Sequence, residues 1–382
     1  MFIGYNFTYI FKQFNLLVVN KKLIKCLKKI ITDIHKLYYK YYLLYLFINM
    51  SDIQKVIKEK KTNLNPIWIM RQAGRYLPEF REIREKNEDF IKLCLNKKLS
   101  AEITLQPLKR FELDAAIIFS DILMIPYGIK QEVKFKKNFG PILGDINIDE
   151  IAKLDENEFT KKLNPIYQAI DLVKKDKLTD NKSTIGFVGA PWTLLVYMIN
   201  KQSPKKKLID NFYQDAFLIK KVLQILDKFI KIHIKNQINN GAEIIQIFDS
   251  WAGLLDVKNL PRFVYNPTVT IVEYVKSLNV PVICFPRGIK DYKVYCEIVK
   301  PDTICIDYET NPVEIRKNIK LPVQGGMNPK SLLLDKDDLR KEIKKYLDIF
   351  KDHPYIFNLG HGVLPETDPN KMDYLVKMVK DY

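Results

Sequence analysis

The sequence lacks the marks of several protein classes. Its five cysteines (Cys26, Cys94, Cys284, Cys296, Cys305) are dispersed, with no CxxC and no neighbouring histidine. That excludes a disulfide framework and a structural zinc site. No GxGxxG or GxxxxGK[ST] occurs, so the usual glycine-rich phosphate loops are missing. No apolar run reaches the roughly 20 residues of a membrane-spanning helix. With 14 Gly and 19 Pro in 382 residues, the chain is neither collagen-like nor of low complexity. Arginine is scarce as well: nine residues among 62 cations. Where arginines gather, they therefore carry information that the abundant lysines do not.

The net charge is +17. Such a charge fits nucleic acid, an anionic membrane or an acidic small molecule as partner; the Lys-, Asn- and Ile-rich composition also fits an AT-rich coding sequence. Residues 1–50 hold eight Lys, one Asp and no Glu, hence +7, with 12 aromatics; the remaining 332 residues carry +10. An apolar leader followed by a Lys-rich, acid-poor stretch predicts an organelle-targeting presequence over 1–50. The alternative is an extension upstream of a translation start at Met50, which would leave the protein cytoplasmic.

From residue 51 onward, short apolar runs end in turn residues, the pattern of buried parallel strands. Eight such runs stand at 66–70, 115–119, 184–188, 242–248, 281–285, 303–306, 321–323 and 355–359. Segments of helical length separate them; in 217–235, Leu218, Val222, Ile225, Leu226, Phe229 and Ile232 share one face. Strand and helix alternating eight times predict an α/β fold, a single-domain (β/α)8 TIM-type barrel over 51–382. An alternating stretch at 132–136, followed by Gly140-Pro141, predicts a β-hairpin excursion.

In such barrels the chemistry lies at the carboxyl ends of the strands. The residues there are Arg71 to Arg75, Ser120-Asp121, Gly189 to Thr193 with Tyr197, Asp249-Ser250-Trp251, Pro286-Arg287-Gly288, Asp307-Tyr308-Glu309, Gln324 to Pro329 and Gly360-His361-Gly362. Four of the nine arginines (Arg71, Arg75, Arg81, Arg84) fall within 14 residues. Guanidinium forks bind carboxylates and phosphates bidentately, so Arg71 and Arg75 read as anion receptors. Arg81, interleaved with Glu79, Glu82 and Glu85, reads as an ion-paired helix residue. Asp121 closes a buried strand, where a carboxylate must be paired or bind donors; a local helix cap is the plainer reading. His361, between two glycines, sits where backbone approaches closely. His35, His233 and His353 look incidental. Phe119 and Phe248 face either an aromatic-sized ligand or the barrel core; Tyr197 and Ser250 are ligand groups or buried hydroxyls with backbone partners.

Pro66-Ile-Trp-Ile-Met-Arg-Gln-Ala-Gly-Arg75, continued by Tyr-Leu-Pro-Glu-Phe-Arg81, resembles the first signature of the uroporphyrinogen decarboxylase family. Gly186-Phe-Val-Gly-Ala-Pro-Trp-Thr-Leu194 with Tyr197 resembles the second, and Leu105-Gln-Pro-Leu-Lys-Arg110, 115–122 and Asn358-Leu-Gly-His-Gly362 also match. The likeness runs in order from about residue 60 to near the C-terminus. It implies a homodimeric barrel, with no metal and no organic cofactor, that removes CO2 from the four acetate side chains of uroporphyrinogen III to give coproporphyrinogen III for haem synthesis. By position it assigns carboxylate binding to Arg71, Arg75 and Arg84, and contact with the pyrrole N–H groups to Asp121. It assigns further polar contacts to Tyr197, Ser250 and His361, and apolar ring contacts to Phe119 and Phe248. It makes Asp121, Arg71 and Arg75 the catalytic residues.

The chemistry implied suits these side chains. The substrate bears eight carboxylates and needs fixed cations. Protonating a pyrrole carbon creates a cation that takes up the electrons left by CO2, so the substrate is its own electron sink. Asp121 would stabilise that cation. Arg71 resembles the family's proposed acid, yet a guanidinium is a very weak acid, so an Arg-bound water or a carboxylic acid also fits. Trp251 and Pro286-Arg287-Gly288 depart from some family members, at the rim. A related zinc barrel that transfers methyl groups would need a His-x-Cys that Cys284 lacks, and Cys305 lies inside a strand run. Nucleic acid is not expected as a partner, since the aromatic-basic RNA signatures and zinc-finger spacings are missing. Leader and resemblance together place the protein in a plastid-type organelle, an apicoplast.

Overall fold

The computed structural model describes residues 29–33, 50–136, 139–204, 207–210 and 212–382. The chain divides into two units, 1–50 and 51–382. In the first, the described residues 29–33 are helical; apart from Met50, the rest of the expected presequence, with Cys26 and His35, lies outside the described residues.

In the second unit, seven strands form one parallel sheet in the order β1 (Ala115–Ile117), β4 (Ser183–Gly189), β5 (Ile244–Asp249), β6 (Val282–Pro286), β7 (Thr303–Ile306), β8 (Val323–Gly325) and β9 (Tyr355–Ile356). Helices carry the chain back between them, among them Ala216–Asn239, Asn266–Ser277 and Lys336–Phe350. Between β1 and β4, the strands β2 (Val133–Lys136) and β3 (Gly140–Leu143) form the antiparallel hairpin expected there, with Gly140 at φ +96°.

The run 66–70 does not form a regular strand; a single parallel bridge joins Ile67 to Phe357. The reason is local. Pro66 has no N–H, and three of the following N–H groups are captured by side chains: Ile67 by Asp114 Oδ2 (2.7 Å), Ile69 by Gln72 Oε1 (3.1 Å) and Met70 by Asn358 Oδ1 (2.8 Å). The segment nevertheless joins both edges of the sheet. The Pro66 carbonyl accepts the Phe357 N–H (2.9 Å), and the Ile67 carbonyl accepts that of Asp114 (2.8 Å). The curled sheet of seven parallel strands, with this irregular stave hydrogen-bonded at both of its edges, fits a TIM-type barrel.

Alternation along the strands divides the apolar residues into two cores. The inner one holds Trp68, Ile117, Ile185, Ile244, Phe248, Phe285 and Ile356, and is floored by Ile53, Val56 and Ile57 of α1 (Asp52–Glu59). Burying such side chains fully is worth roughly 1.5–3 kcal/mol each. Ser51 caps α1 in a capping box with Gln54, and its hydroxyl also meets Ser183 at the start of β4 (2.5 Å). The floor is thereby fastened to the amino end of the barrel. The outer core lies between sheet and helices.

Candidate active site

The residues gathered at the carboxyl ends of the strands begin with a strained turn. The loop after the irregular stave is held on both sides. Asn358 takes the Met70 N–H, and the Met70 carbonyl accepts the Val363 N–H (3.0 Å). On the other side Gln72, buried, donates to the Ala115 carbonyl (2.9 Å), and Tyr76 donates to the Gln72 carbonyl (2.8 Å). Arg71, caught between, adopts φ +63°, the left-handed conformation that is uncommon for a residue with a side chain. Gln72 and Asn358 are thus the framework of the loop, and sequence reading did not single them out; both stand inside motifs quoted above.

Six side chains share one electrostatic neighbourhood. The Arg71 guanidinium reaches solvent on one side yet is hemmed in by protein. Burial lowers its pKa, the charges of Asp121 and Tyr197 raise it, and Arg75 and Arg287 lower it. Asp121 uses Oδ1 to accept the Leu123 N–H (2.8 Å), closing a turn two residues ahead; it is not the helix cap expected as its plainer role, because the helix Met124–Gly128 begins after Leu123 and carries no side-chain cap. Oδ2 makes no hydrogen bond among the described residues. Burial pushes the Asp121 pKa up to about 6, with the Leu123 N–H and Arg71 opposing. It is mostly ionised at neutral pH. Burial, then Asp121, push the Tyr197 phenol up to about 12, so it keeps its proton. Burial, with Arg71 and Arg287, pushes His361 down to about 4, so its imidazole is neutral.

The cluster of arginines separates by role. Among the described residues, the guanidinium that pairs with a carboxylate is that of Arg110, with Glu79. Arg81 is not paired with glutamate as expected: its Nη1 donates to the Arg75 (2.8 Å) and Tyr76 (3.0 Å) carbonyls and so ties down the arginine loop. Arg84, on α2 (Pro78–Lys86), donates to the Asn87 carbonyl and lies 5.5 Å from the Phe90 ring, which in turn stands 5.8 Å from Phe119. Arg71 and Arg75 make no side-chain hydrogen bond or ion pair among the described residues. An unpaired guanidinium, Arg71, beside a carboxylate with a free oxygen, and a second, Arg75, next to the first, form a receptor for an anionic ligand that also carries donors.

Phe248 belongs to the inner core, edge-on to Phe187 (5.6 Å) and Phe285 (6.3 Å), at the top of the barrel interior. Phe119 belongs to the outer core, against Phe80 (5.7 Å) and Phe90. Both are 9% exposed. Ser250, half-buried after β5, has a hydroxyl with no partner among the described residues. Its neighbours are fixed: Thr193 donates to Asp249 Oδ1 (2.6 Å) and accepts the Trp251 N–H (3.1 Å). Trp251 lies against Tyr197, ring centroids 5.9 Å apart. Trp192 is core, as its size suggests, and donates to the Trp251 carbonyl (2.8 Å). His233 bonds to Tyr167 and His353 to the Leu321 carbonyl, both structural.

A cavity of about 960 Å³ opens elsewhere, at the amino ends of β6 to β8, lined by Lys276, Pro281, Lys300 and Pro322 among others. None of the groups gathered at the carboxyl ends of the strands lines it. Cys94, Cys284, Cys296 and Cys305 are free and buried, and burial raises their pKa values, that of Cys305 to about 12. Among the described residues no group of three or more His, Cys, Asp or Glu could hold a metal ion, and no helix is long and apolar enough to cross a membrane.

Comparison with known proteins agrees with the order of the motifs along the chain. The model of the family "Uroporphyrinogen decarboxylase (URO-D)" matches residues 49–382. The chain belongs to that family. It is 40% identical over 343 residues to uroporphyrinogen decarboxylase of Rickettsia bellii, covering 87% of this chain and 99% of the relative. To the Campylobacter jejuni protein of the same name it is 39% identical over 332 residues, covering 85% and 96%. Among solved structures, a methyltransferase from Methanosarcina mazei superposes with a TM-score of 0.69 at 14% identity, over 86% of this chain and 96% of that one. That likeness concerns the fold alone.

Proposed function

We propose that this protein is a carboxy-lyase that removes CO2 from the four acetate side chains of uroporphyrinogen III, yielding coproporphyrinogen III in porphyrin and haem biosynthesis. The observation that carries the reading is the pair of unpaired guanidiniums, Arg71 and Arg75, set beside Asp121 with its free Oδ2. A substrate that is a carboxylate at its periphery and an N–H donor at its centre matches both halves. Each turnover adds one proton and releases one CO2. The ring carbon is protonated, the C–C bond to the carboxylate breaks, and its electron pair neutralises the ring cation. The exocyclic carbon is then protonated to a methyl group as the ring proton leaves. Asp121 stabilises the cation, Arg71 and Arg75 hold the acetate, and neutral Tyr197 and His361 supply polar contacts without adding charge. Phe248 and Phe119 offer apolar edges to the pyrroles, Ser250 a hydroxyl, and Arg84 a further cation near Phe119. The chemistry needs no metal and no organic cofactor, because the protonated substrate accepts the electrons itself.

The same reading takes the barrel as a complete (β/α)8 ring, the stave at 66–70 counting as the first strand, and the protein as a homodimer. It takes residues 1–50 as a presequence removed on entry to a plastid-type organelle; their lysine-rich, acid-poor composition supports this. The test is a decarboxylase assay on the purified protein, with and without EDTA, with products separated by porphyrin chromatography. Coproporphyrinogen formed equally in both samples supports the reading; no product, or activity lost to EDTA, overturns it. Sequencing the mature N-terminus tests the presequence, and light scattering tests the dimer.

A further inference from the structure

Arg287 stands across the mouth from the arginine loop. In the ring of eight staves, Arg71 and Arg75 follow the irregular stave and Arg287 follows β6, four staves away in either direction. Its backbone is held firmly. The Arg287 N–H is shared between the Asp249 and Phe285 carbonyls (both 3.1 Å), and its own carbonyl accepts the Gly253 N–H (3.0 Å). Gly288 takes φ +78° and donates to Asp307 Oδ2 (2.7 Å). A Cβ at Gly253 would fall 2.6 Å from the Gly288 carbonyl oxygen, so the two loops touch backbone to backbone.

Within this rigid setting the guanidinium is left free. The nearby Asp307 carboxylate is occupied by Gly288 N, Tyr292 OH (3.1 Å), Glu309 N (3.0 Å) and Thr310 Oγ1 (2.9 Å). Among the described residues the Arg287 side chain has no hydrogen bond, ion pair or ring contact. Its charge is felt at both Arg71 and His361. A half-buried cation facing other cations, with no anion of its own, is unfavourable unless a ligand supplies one.

We propose that Arg287 binds a peripheral carboxylate of the substrate, on the side of the macrocycle opposite the acetate held by Arg71 and Arg75. This rests on the function proposed above. Arg287 is a binding residue: its contact lies away from the reacting ring, so it is the same in ground and transition states and acts on KM rather than kcat.

The test compares the full-length protein with R287Q and R287K, in steady-state turnover of uroporphyrinogen and in equilibrium binding of uroporphyrin, its oxidised octa-acid, by fluorescence. For R287Q, KM and the porphyrin Kd should each rise about ten- to a hundredfold, with kcat within about threefold and an unchanged melting temperature. R287K keeps the charge but loses the fork and should fall between. A Kd and KM for R287Q within about twofold of the parent overturn the proposal, as does a loss confined to kcat. Should R287Q melt early, R287K decides: a Kd equal to the parent's overturns it, and a Kd raised severalfold in a folded protein supports it. A parent that binds porphyrin without turning over uroporphyrinogen refutes the activity proposed above and leaves the Arg287 binding comparison intact.

Discussion

Gly362 and Arg71 interlock. A Cβ at Gly362 would lie 2.3 Å from Arg71 Cδ, 2.7 Å from Cγ and 2.9 Å from Nε. The glycine after His361 is therefore the space through which the arginine reaches the cleft. Arg71 cannot retreat through its backbone, since the left-handed turn at φ +63° is held from both sides.

Gly362→Ala should act on catalysis and leave folding largely intact. The clash is with the Cγ–Nε stem of a side chain, which must turn about its inner torsions at a cost of about 1–2 kcal/mol in stability. The guanidinium is then displaced by ångströms, and a shift of that size costs about a hundredfold. Expected are a melting temperature within a few degrees of the parent and kcat/KM down at least about tenfold. Unchanged turnover would show that the position of Arg71 does not matter.

The pH profile should be set by Asp121. With its pKa near 6, kcat/KM should fall as pH drops through about 6, because the protonated carboxyl no longer stabilises the ring cation. The stability effect has the opposite sign. A carboxyl whose folded pKa is raised holds its proton longer in the native state, so its contribution to stability declines as pH rises from about 4 to about 6. Asp121→Asn should thus abolish turnover while raising stability at pH 7 by about 1–3 kcal/mol, read by denaturant unfolding. An active or less stable variant contradicts the assignment.

His361→Asn should lower kcat/KM without moving the acid limb. The imidazole titrates near 4, below Asp121, so it is neutral throughout the working range. A limb that shifts by a full unit in the variant would mean that His361, not Asp121, sets it.

Thr193→Val should destabilise the protein by about 1–3 kcal/mol, since it strips one hydroxyl of two bonds in a buried place. Asp249 then loses the hydroxyl that bonds its Oδ1, Oδ2 being already unpaired, and is left with the Thr193 backbone N–H. Burial pushes the Asp249 pKa up to about 7. By the same sign rule, its contribution to stability declines as pH rises from about 4 to about 7. Asp249→Asn should flatten that decline, as thermal melts across the range would show.

The periodicity and apolar runs of the chain by themselves determined an α/β architecture and marked the seven regular strands of the large sheet, β8 only through Val323 at the end of its run, because buried parallel strands need continuous apolar stretches whatever their neighbours. They also determined the hairpin and the strand ends at which polar residues collect. Chain order within the motifs was enough to name Arg71, Asp121, Tyr197 and His361. Partnership was not legible. That the stave at 66–70 loses its ladder to Asp114, Gln72 and Asn358 depends on side chains 3 to 288 residues away. That Arg81 ties a loop while the Arg287 side chain makes no bond among the described residues depends on how the strand ends come together. Hydrogen bonds and charges act over a few ångströms of space, and only the folded chain turns separation along the sequence into that distance.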